Sequence, residues 1–512
     1  MSEKTTKKIG FFSALSICVG SFVGIGIFLK NGSVGESVKG NGVTWLLTWI
    51  VSGLIALLVA IHFGKISKVE SDNEVTGLSA WSRLLTTQKQ KWFHKIVSFN
   101  YALFYLAILG ITLAFFSSEL LIAFLKEINP NITVPIWGHV LIALVFLTIF
   151  ILTNHFSYKV SGWISSGTLV LKFIPLIMVV IIGIALVNNH NGIEIQKEVN
   201  GAIVTETING QNGFTDPKLT GIDAGTAIKG MMISLPSVLF AFDSFVGVGA
   251  LSNKIKGGDK AVSKIIIFGM LFVTIIYSLI SLASAFHFFD GGKTTVVNVL
   301  KDALPKEAAQ AISTFVSFFL FISAYGTSNS IIGVGVHEFE NVCYETRVIY
   351  SKKLLDRFGR KKGGLIINGV VSLFWAIVMF IPSIILNTDS LIDGFSNLVV
   401  VYFFMVYTLT IYMFWKNKYL VDPKFQENSN KVRYSILVWV SISTVFLAIG
   451  LNLFFLFFNA VNEIDHKSSW GLYEDGKGLT NLDALIIYLV MTPAFFSLPF
   501  LNYFLNRNHN NF

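Results

Sequence analysis

The stretch CVGSFVGIGIF, residues 18–28, places three glycines in an apolar run that otherwise has the composition of a membrane-spanning helix. Glycine lacks a Cβ atom and adopts backbone angles that a helix does not use. Non-helical backbone inside a bilayer must be enclosed by protein or line a water-filled cavity, because lipid offers no hydrogen-bond partners. The glycines therefore favour a broken helix beside a binding cavity. Gly20 and Gly24 also fit the small-residue face through which membrane helices pack closely, and this alternative stays open.

The composition indicates that the whole chain lies in a membrane. Of its 512 residues 53% are hydrophobic and 13% are charged, whereas roughly 25% of the residues in a soluble protein are charged. Apolar stretches of about 20 residues, the length that crosses a bilayer, predict an all-α polytopic membrane protein with 12 transmembrane helices. These stretches lie at 10–29, 43–63, 96–125, 135–153, 161–187, 229–250, 264–286, 309–336, 364–386, 391–415, 433–458 and 482–505.

The positive charges predict how the chain is oriented. With the N-terminus inside, 27 of the 39 Lys and Arg residues fall in inner segments and 11 in outer ones, which is the excess that cytoplasmic loops carry. We therefore expect a multi-pass protein of the cell membrane with a cytoplasmic N-terminus (1–9) and a cytoplasmic tail (506–512). The net charge of +9 is explained in this way without a nucleic-acid partner.

Three connecting segments are long. The outer segments 188–228 and 459–481 have no predicted role, but β-branched residues and Asn-Gly pairs in the first favour a small hairpin. The inner segment 64–95 contains an amphipathic part that is typical of a short helix along the membrane face. A plain basic loop is the alternative for this inner segment.

The sixth span predicts a second break. Its sequence ISLPSVLFAFDSFVGVGA, residues 233–250, contains Pro236, a charged Asp243, and then Gly247 and Gly249. Proline removes a backbone donor, and glycine loosens the helix that follows. Interrupted helices at corresponding positions of two halves point to a transporter site at the membrane midplane. The halves would be a first repeat at 10–187 and a second at 229–415, followed by two further helices at 433–505.

These stretches resemble a known superfamily. Residues 18–28 are similar to the G-x-x-x-G-S-G-I-F signature in the first helix of the amino acid–polyamine–organocation (APC) superfamily, and FAFDSF (240–245) is similar to its sixth-helix break. The following ALSNKIKGGDKAVSKIIIFG (250–269) has the layout of its inner loop into helix seven. The resemblance implies a single amino acid permease domain over 1–505, with a LeuT-like 5+5 inverted repeat plus two extra helices.

The resemblance also implies a binding site for an amino acid. Backbone N–H groups of Gly24, Ile25 and Gly26 would bind the substrate carboxylate, because a helix that restarts after a break presents unsatisfied donors. The substrate amino group would meet backbone carbonyls of Phe22, Phe240 and Asp243. The side-chain pocket would be formed by Phe240, Phe242 and Phe245, with Tyr101, Tyr105 and Asn329 nearby. For these last three residues, plain core packing is the favoured alternative.

Charges within the spans need a partner or a task, because each costs at least ~2.5 kcal/mol at the bilayer centre. Lys172 matches a lysine that, in proton-coupled relatives, stands where sodium sits in sodium-coupled ones. It is a candidate for proton coupling or, equally, a charged strut at the first-helix break. Asp243 would cap the next half-helix, while a contact with a cationic substrate is the alternative. Glu119, near Lys126, is interpreted as interfacial.

Other classes of protein lack their signatures in this sequence. The nine histidines are scattered without an H-E-x-x-H motif, no phosphate-binding glycine loop occurs, and two cysteines cannot form a zinc cluster. We therefore expect no catalytic residues, no metal site and no cofactor, and an enzyme or a channel is disfavoured. The expected function is amino acid transport driven by a proton gradient, with amino acid exchange as the alternative. The amino acid and the oligomeric state are not predicted.

Overall fold

A computed structural model describes residues 10–11, 15, 19, 25–67, 77–199, 202–243, 245–246, 256, 258–290, 294–421, 431–464, 468, 470–471 and 478–510. Helices dominate its first half. The elements are α1 Ile25–Ser37, α2 Gly42–Ile66, α3 Leu78–Leu84, a 3-10 turn Gln88–Gln90, α4 Lys91–Asn100, a π-helix Tyr101–Leu106, α5 Ala107–Ile128, α6 Ile136–Phe156, α7 Tyr158–Leu171, α8 Phe173–Ala185, β1 Ile193–Val199 and β2 Ala202–Ile208.

The second half contains longer helices. These are α9 Pro217–Thr220, α10 Ala224–Phe242, α11 Gly258–Phe286, α12 Val296–Ala303, α13 Lys306–Tyr344, α14 Ser351–Leu386, α15 Ser390–Val421, α16 Lys431–Asn462 and α17 Asn481–Asn510. Side-chain caps fix several of their starts. Asp223 accepts a hydrogen bond from Thr226 N before α10, and Thr295 accepts one from Asn298 N before α12. Each cap satisfies a donor that the first turn leaves open.

Within the described residues, ten helices are long and apolar enough to cross a membrane. The prediction of an all-α polytopic membrane protein is confirmed. The sequence predicts 12 spans, and the difference lies in the first, which is mostly outside the described residues, and in the fifth. The fifth is divided into α7 and α8 at Lys172. Pro175 lies in the first turn of α8 and has no N–H, so the backbone hydrogen-bond ladder is interrupted here.

The helices that carry the candidate site pack against one another in the core. Helix α1 lies along α10, while α15 contacts α10 and α5. Large aromatic side chains fill the space around them and are fully buried, including Trp45, Trp49, Phe63, Tyr402 and Tyr407. The polar residues described below are therefore enclosed by apolar packing.

The predicted hairpin in the segment 188–228 is confirmed. Strands β1 and β2 pair antiparallel in a register that runs from Ile193 opposite Ile208 to Val199 opposite Ala202. The two residues between the strands, 200–201, have the sequence Asn-Gly, which is the strongest short hairpin signal, and they lie outside the described residues.

The inner segment 64–95 forms more than the single surface helix that the sequence predicts. Helix α3 is largely buried, and its Trp81 packs against Phe63 with the ring centroids 6.0 Å apart. Helix α4 then leads directly into the third span. The apolar residues of the segment therefore face protein at Trp81, which explains their amphipathic pattern without a membrane surface.

Candidate functional site

Helix α10 stops in the middle of the sixth predicted span. Its last residue is Phe242, and Asp243 has an extended backbone with φ −73° and ψ 172°. The predicted interruption of this span is confirmed, and it falls at Asp243. The sequence predicted that Pro236 contributes to the break. In the structure Pro236 lies inside α10, and the helix continues past it to Phe242.

The described part of α1 begins at Ile25, and the predicted first break lies outside the described residues, as do Phe22 and Gly24. Gly26 packs directly on α10. A Cβ atom at Gly26 would lie 2.6 Å from Ala241 Cα and 2.7 Å from Ala241 Cβ, closer than packed carbon atoms approach. The absence of a side chain at Gly26 therefore allows α1 to contact α10 within two residues of Asp243.

Phe240 faces α5 and a buried cation. Its ring forms an edge-on pair with Phe116, with the centroids 6.4 Å apart. Lys30 Nζ lies 5.0 Å from the Phe240 centroid and 5.3 Å from that of Phe116. An ammonium at this distance is attracted by the negative faces of the rings. The predicted residue Phe240 thus contacts a charge that the sequence analysis did not assign to the site.

Lys30 is held by polar residues at the start of α15. It forms an ion pair with Asp393 and donates to Asn397 Oδ1 at 3.1 Å and to Ser396 Oγ at 3.4 Å. A buried charge persists only when it is paired and hydrogen-bonded. The cluster was not predicted, because the first predicted span ends at residue 29, just before Lys30, and Asp393 near the start of the tenth span was assigned no role. In the structure, α1 continues through Lys30 to Ser37 with mostly buried residues.

Glu119 belongs to the same region and does not lie at the interface as predicted. It interacts electrostatically with Lys30 and with Asp389, and Asp389 is fully buried. The Glu119 Oε2 atom is buried and has no hydrogen-bond partner among the described residues. Three carboxyl groups, those of Glu119, Asp389 and Asp393, therefore surround one lysine.

A second polar cluster surrounds Asp243. Tyr407 donates to Asp243 Oδ1 at 3.0 Å, and Tyr105 lies close enough to interact electrostatically with both Asp243 and Tyr407. Tyr101 stacks on Tyr105 with the ring centroids 5.5 Å apart. The helix cap predicted for Asp243 involves residues outside the described ones and stays a prediction. The hydrogen bond from Tyr407 to Asp243 lies within the described residues. The structure thus brings together three predicted site residues, namely Tyr101, Tyr105 and Asp243.

A π-helix positions the two tyrosines. Residues Tyr101–Leu106 have this conformation between α4 and α5. Such wide turns are rare and occur frequently at functional sites, because they rotate the residues after the turn relative to those before it. The rotation lets Tyr101 and Tyr105 pack on Phe403 of α15, with centroid distances of 5.9 Å and 4.4 Å.

The remaining predicted residues lie elsewhere in the bundle. Phe242 packs against Trp49 and Tyr277, and Phe245 packs against Phe63 and Tyr407. Both phenylalanines therefore fill the core beside α2, whereas Phe240 faces α5.

Lys172 and Asn329 both link the fifth span to α13. Lys172 is 2% exposed and donates to Thr327 Oγ1 at 2.7 Å. Asn329 donates to Ser161 Oγ at 3.0 Å and accepts from Asn154 Nδ2 at 3.0 Å. These bonds give Asn329 a role in helix packing, the alternative that the sequence analysis favoured.

The sequence model of the amino acid permease family matches residues 9–473, which is nearly the whole chain. The chain belongs to this family. The prediction of an APC-type amino acid permease is confirmed, and the family is one of transporters, not enzymes.

Two curated proteins are similar to this permease in sequence. It is 26% identical over 348 residues to an uncharacterized protein of Mycoplasma pneumoniae. The match covers 64% of the permease and 57% of the relative. It is 24% identical over 277 residues to the serine/threonine exchanger SteT of Bacillus subtilis, which covers 54% of each. The matches thus span little more than half the length of these relatives.

A cavity of the permease adjoins the Lys30 cluster. The cavity is small, about 20 Å³, and its lining includes Pro236 of α10, Val401 of α15 and Asn452 of α16. Asn397 also lines it and accepts the hydrogen bond from Lys30. A small cavity between α10 and α15 therefore adjoins the buried charges.

Proposed function

We propose that this permease moves an amino acid across the cell membrane by alternating access, and that a proton gradient drives uptake. One observation carries the proposal. Gly26 packs on Ala241, so that the first span contacts the sixth beside the point where α10 stops. Paired interruptions at this place are the pattern of a central transporter site. Both termini would be cytoplasmic, as the distribution of Lys and Arg suggests.

The site would bind the zwitterionic part of the substrate through the backbone. The carbonyls of Phe240 and Asp243 lie at the end of α10, where a helix leaves its last carbonyl groups without intrahelical partners. They can accept hydrogen bonds from an ammonium group. The N–H groups of Gly24, Ile25 and Gly26 would bind the carboxylate. The substrate therefore needs no oppositely charged side chain for its main-chain groups.

The side-chain pocket would lie against Phe240 and the ring pair Tyr101 and Tyr105. Ile25 and these rings favour a neutral or apolar substrate side chain. Asp243 accepts a hydrogen bond from Tyr407. This donor stabilises the carboxylate without a cationic substrate, which supports the preference for a neutral amino acid.

Alternating access would require the Lys30 cluster to open. The ion pair of Lys30 and Asp393 links α1 to α15, and a substrate that passes between these helices must separate them. Three carboxyl groups also surround one lysine, which balances only one negative charge. A proton could bind one of the remaining carboxyl groups and neutralise it. Lys172 is the first candidate for proton coupling, and the carboxyl groups around Lys30 are the second.

Amino acid exchange is the alternative function. It is favoured by the similarity to SteT, which is a serine/threonine exchanger. An exchanger uses a second amino acid as the counter-substrate, so it needs no titrating residue. Lys172 would then serve as a strut through its bond to Thr327.

The deciding experiment measures the uptake of radiolabelled amino acids into liposomes that contain the purified permease. Uptake into empty liposomes that is stimulated by an inward proton gradient would support proton-coupled transport. Uptake that requires a preloaded amino acid would establish exchange. Absence of uptake for every amino acid, with or without preloading, would contradict both forms of the proposal.

A further inference from the structure

The side chains of His190, His287 and Asp302 converge at one end of the bundle, away from the amino acid site. His190 precedes the hairpin, His287 follows α11, and Asp302 lies in α12. Asp302 Oδ2 is 2.8 Å from His190 Nδ1 and 2.7 Å from His287 Nδ1. His287 and Asp302 are fully buried, while His190 is 25% exposed. We propose that these three residues form a binding site for a divalent metal ion of the zinc class.

The hydrogen bonds of His287 show why a cation is needed. Its Nε2 lies 3.1 Å from the carbonyl oxygen of Gly183, and a carbonyl oxygen can only accept. Nε2 therefore carries the proton of the neutral ring, which leaves the lone pair of Nδ1 directed at Asp302 Oδ2. Two acceptors at 2.7 Å repel each other unless a cation lies between them. Either a metal ion or a second proton on His287 supplies that charge.

The bonds around the cluster are those of a metal site. Ligand histidines commonly donate their other N–H to a carbonyl or carboxylate, as His287 does to Gly183. Asp302 Oδ1 accepts from the backbone N–H groups of Gly192 at 2.9 Å and Gly210 at 3.1 Å. These donors fix the carboxylate and leave Oδ2 directed at both imidazoles.

Two imidazoles and one carboxylate are a donor set that zinc accepts, with a fourth position left for water. Zinc holds such atoms at about 2.0–2.2 Å, so the distance from Asp302 Oδ2 to each imidazole nitrogen would lengthen by roughly half an ångström. The partial exposure of His190 provides an entry path. A metal here would join the hairpin, α11 and α12, and would act as a structural clamp.

The test uses the full-length permease, purified in detergent with an affinity tag that contains no histidine. After incubation with zinc and removal of the excess, we expect about one zinc ion per chain by mass spectrometry of the metal, as a single three-ligand site requires. Cobalt in place of zinc should give the visible absorption bands of a four-coordinate site. Zinc should also raise the Tm, because it binds only the folded state.

Two variants assign the site. His190→Gln removes a ligand that is partly exposed, so the fold should survive, and the zinc content and the rise in Tm should both be lost. His337→Gln is the matched control, because His337 is 42% exposed beside Glu340, and it should bind zinc as the wild type does. A wild type that retains no zinc and gives no cobalt bands would overturn the proposal and leave a proton between His287 and Asp302. Equal zinc retention by His190→Gln would overturn it as well.

Discussion

Lys30 of α1 and Asp393 of α15 form an ion pair whose side chains are 0% and 1% exposed. The two residues are far apart in sequence and lie in different halves of the predicted repeat. Their charges stabilise each other only while α1 and α15 stay together, so the pair is both a packing contact and a barrier between these helices. This relationship leads to the first of four predictions.

Replacing one partner of the Lys30–Asp393 ion pair should lower the free energy of unfolding strongly, because the other charge is left buried. Lys30→Met leaves Asp393 buried without its cation and should lower the free energy of unfolding by about 3–5 kcal/mol. The double variant Lys30→Met/Asp393→Leu should recover part of this loss, since apolar residues can replace a buried pair, while Glu119 and Asp389 still lack the cation. Thermal unfolding in detergent measures both effects.

The control for this pair is Lys229, which binds Glu463 at 2.7 Å but is 24% exposed. Lys229→Met should cost about 0–1 kcal/mol, as exposed ion pairs do. Equal decreases in the free energy of unfolding for Lys30→Met and Lys229→Met would show that burial does not increase the contribution of the Lys30–Asp393 pair.

The contact of Gly26 with Ala241 should not tolerate a side chain. Gly26→Ala places a methyl group against the backbone of α10 and should cost about 1–3 kcal/mol, the range for overpacking. Gly26→Leu should abolish substrate binding while the protein still inserts into the membrane. Radiolabelled amino acid binding and thermal unfolding measure these two effects.

Gly369 provides a matched control on α14, because a Cβ atom there meets nothing within 4 Å. Gly369→Ala should leave binding and unfolding unchanged. If Gly26→Leu transported as the wild type does, the proposed position of the site would be wrong.

The carboxylate of Asp243 should set which substrate charge is accepted. Tyr407→Phe removes the donor at 3.0 Å and should cost about 1.5–3 kcal/mol, as is typical of a hydrogen bond to a charged group. Transport of neutral amino acids by Asp243→Asn should persist with a raised KM. Loss of transport confined to cationic amino acids in Asp243→Asn would instead show that Asp243 binds a basic side chain.

Lys172 should carry the effect of the proton gradient. Lys172→Met removes the group that could gain and lose a proton, so stimulation of uptake by the gradient should disappear while exchange with preloaded amino acid continues. Thr327→Val is the control, since it keeps the amine and removes its hydroxyl partner at 2.7 Å. Stimulation that persists in Lys172→Met would return Lys172 to a structural role.

Local sequence signals predicted those parts of the fold that depend on neighbouring residues. Asn-Gly pairs and β-branched residues predicted the hairpin, because such pairs adopt the backbone angles of tight turns. Pro236 and the glycines after Asp243 predicted the interruption of the sixth span, although α10 passes through Pro236 and ends before Asp243. Such features are determined within a few residues, and the structure agrees with them.

The charged clusters could not be predicted in the same way. Lys30 and Asp393 each stand near the edge of an apolar stretch, where charged residues normally reach the interface, and only contacts between residues distant in sequence bury them. The hairpin and the sixth and seventh predicted spans separate His190 from His287 and Asp302. Their spacing matches no ligand motif, because the contact arises from the arrangement of helices.

The segment between α16 and α17 reaches back to this ion pair. Gly471 N donates to Asp393 Oδ2 at 2.9 Å, and Trp470 covers Gly394 so closely that a side chain at Gly394 would collide with its indole ring. The segment between the last two helices is therefore part of the packing around the ion pair, and these helices are more than an addition to the preceding ten. A chain shortened before α16 would lose the lid over the first turn of α15, and a minimal functional unit of this permease must retain its C-terminal hairpin of helices.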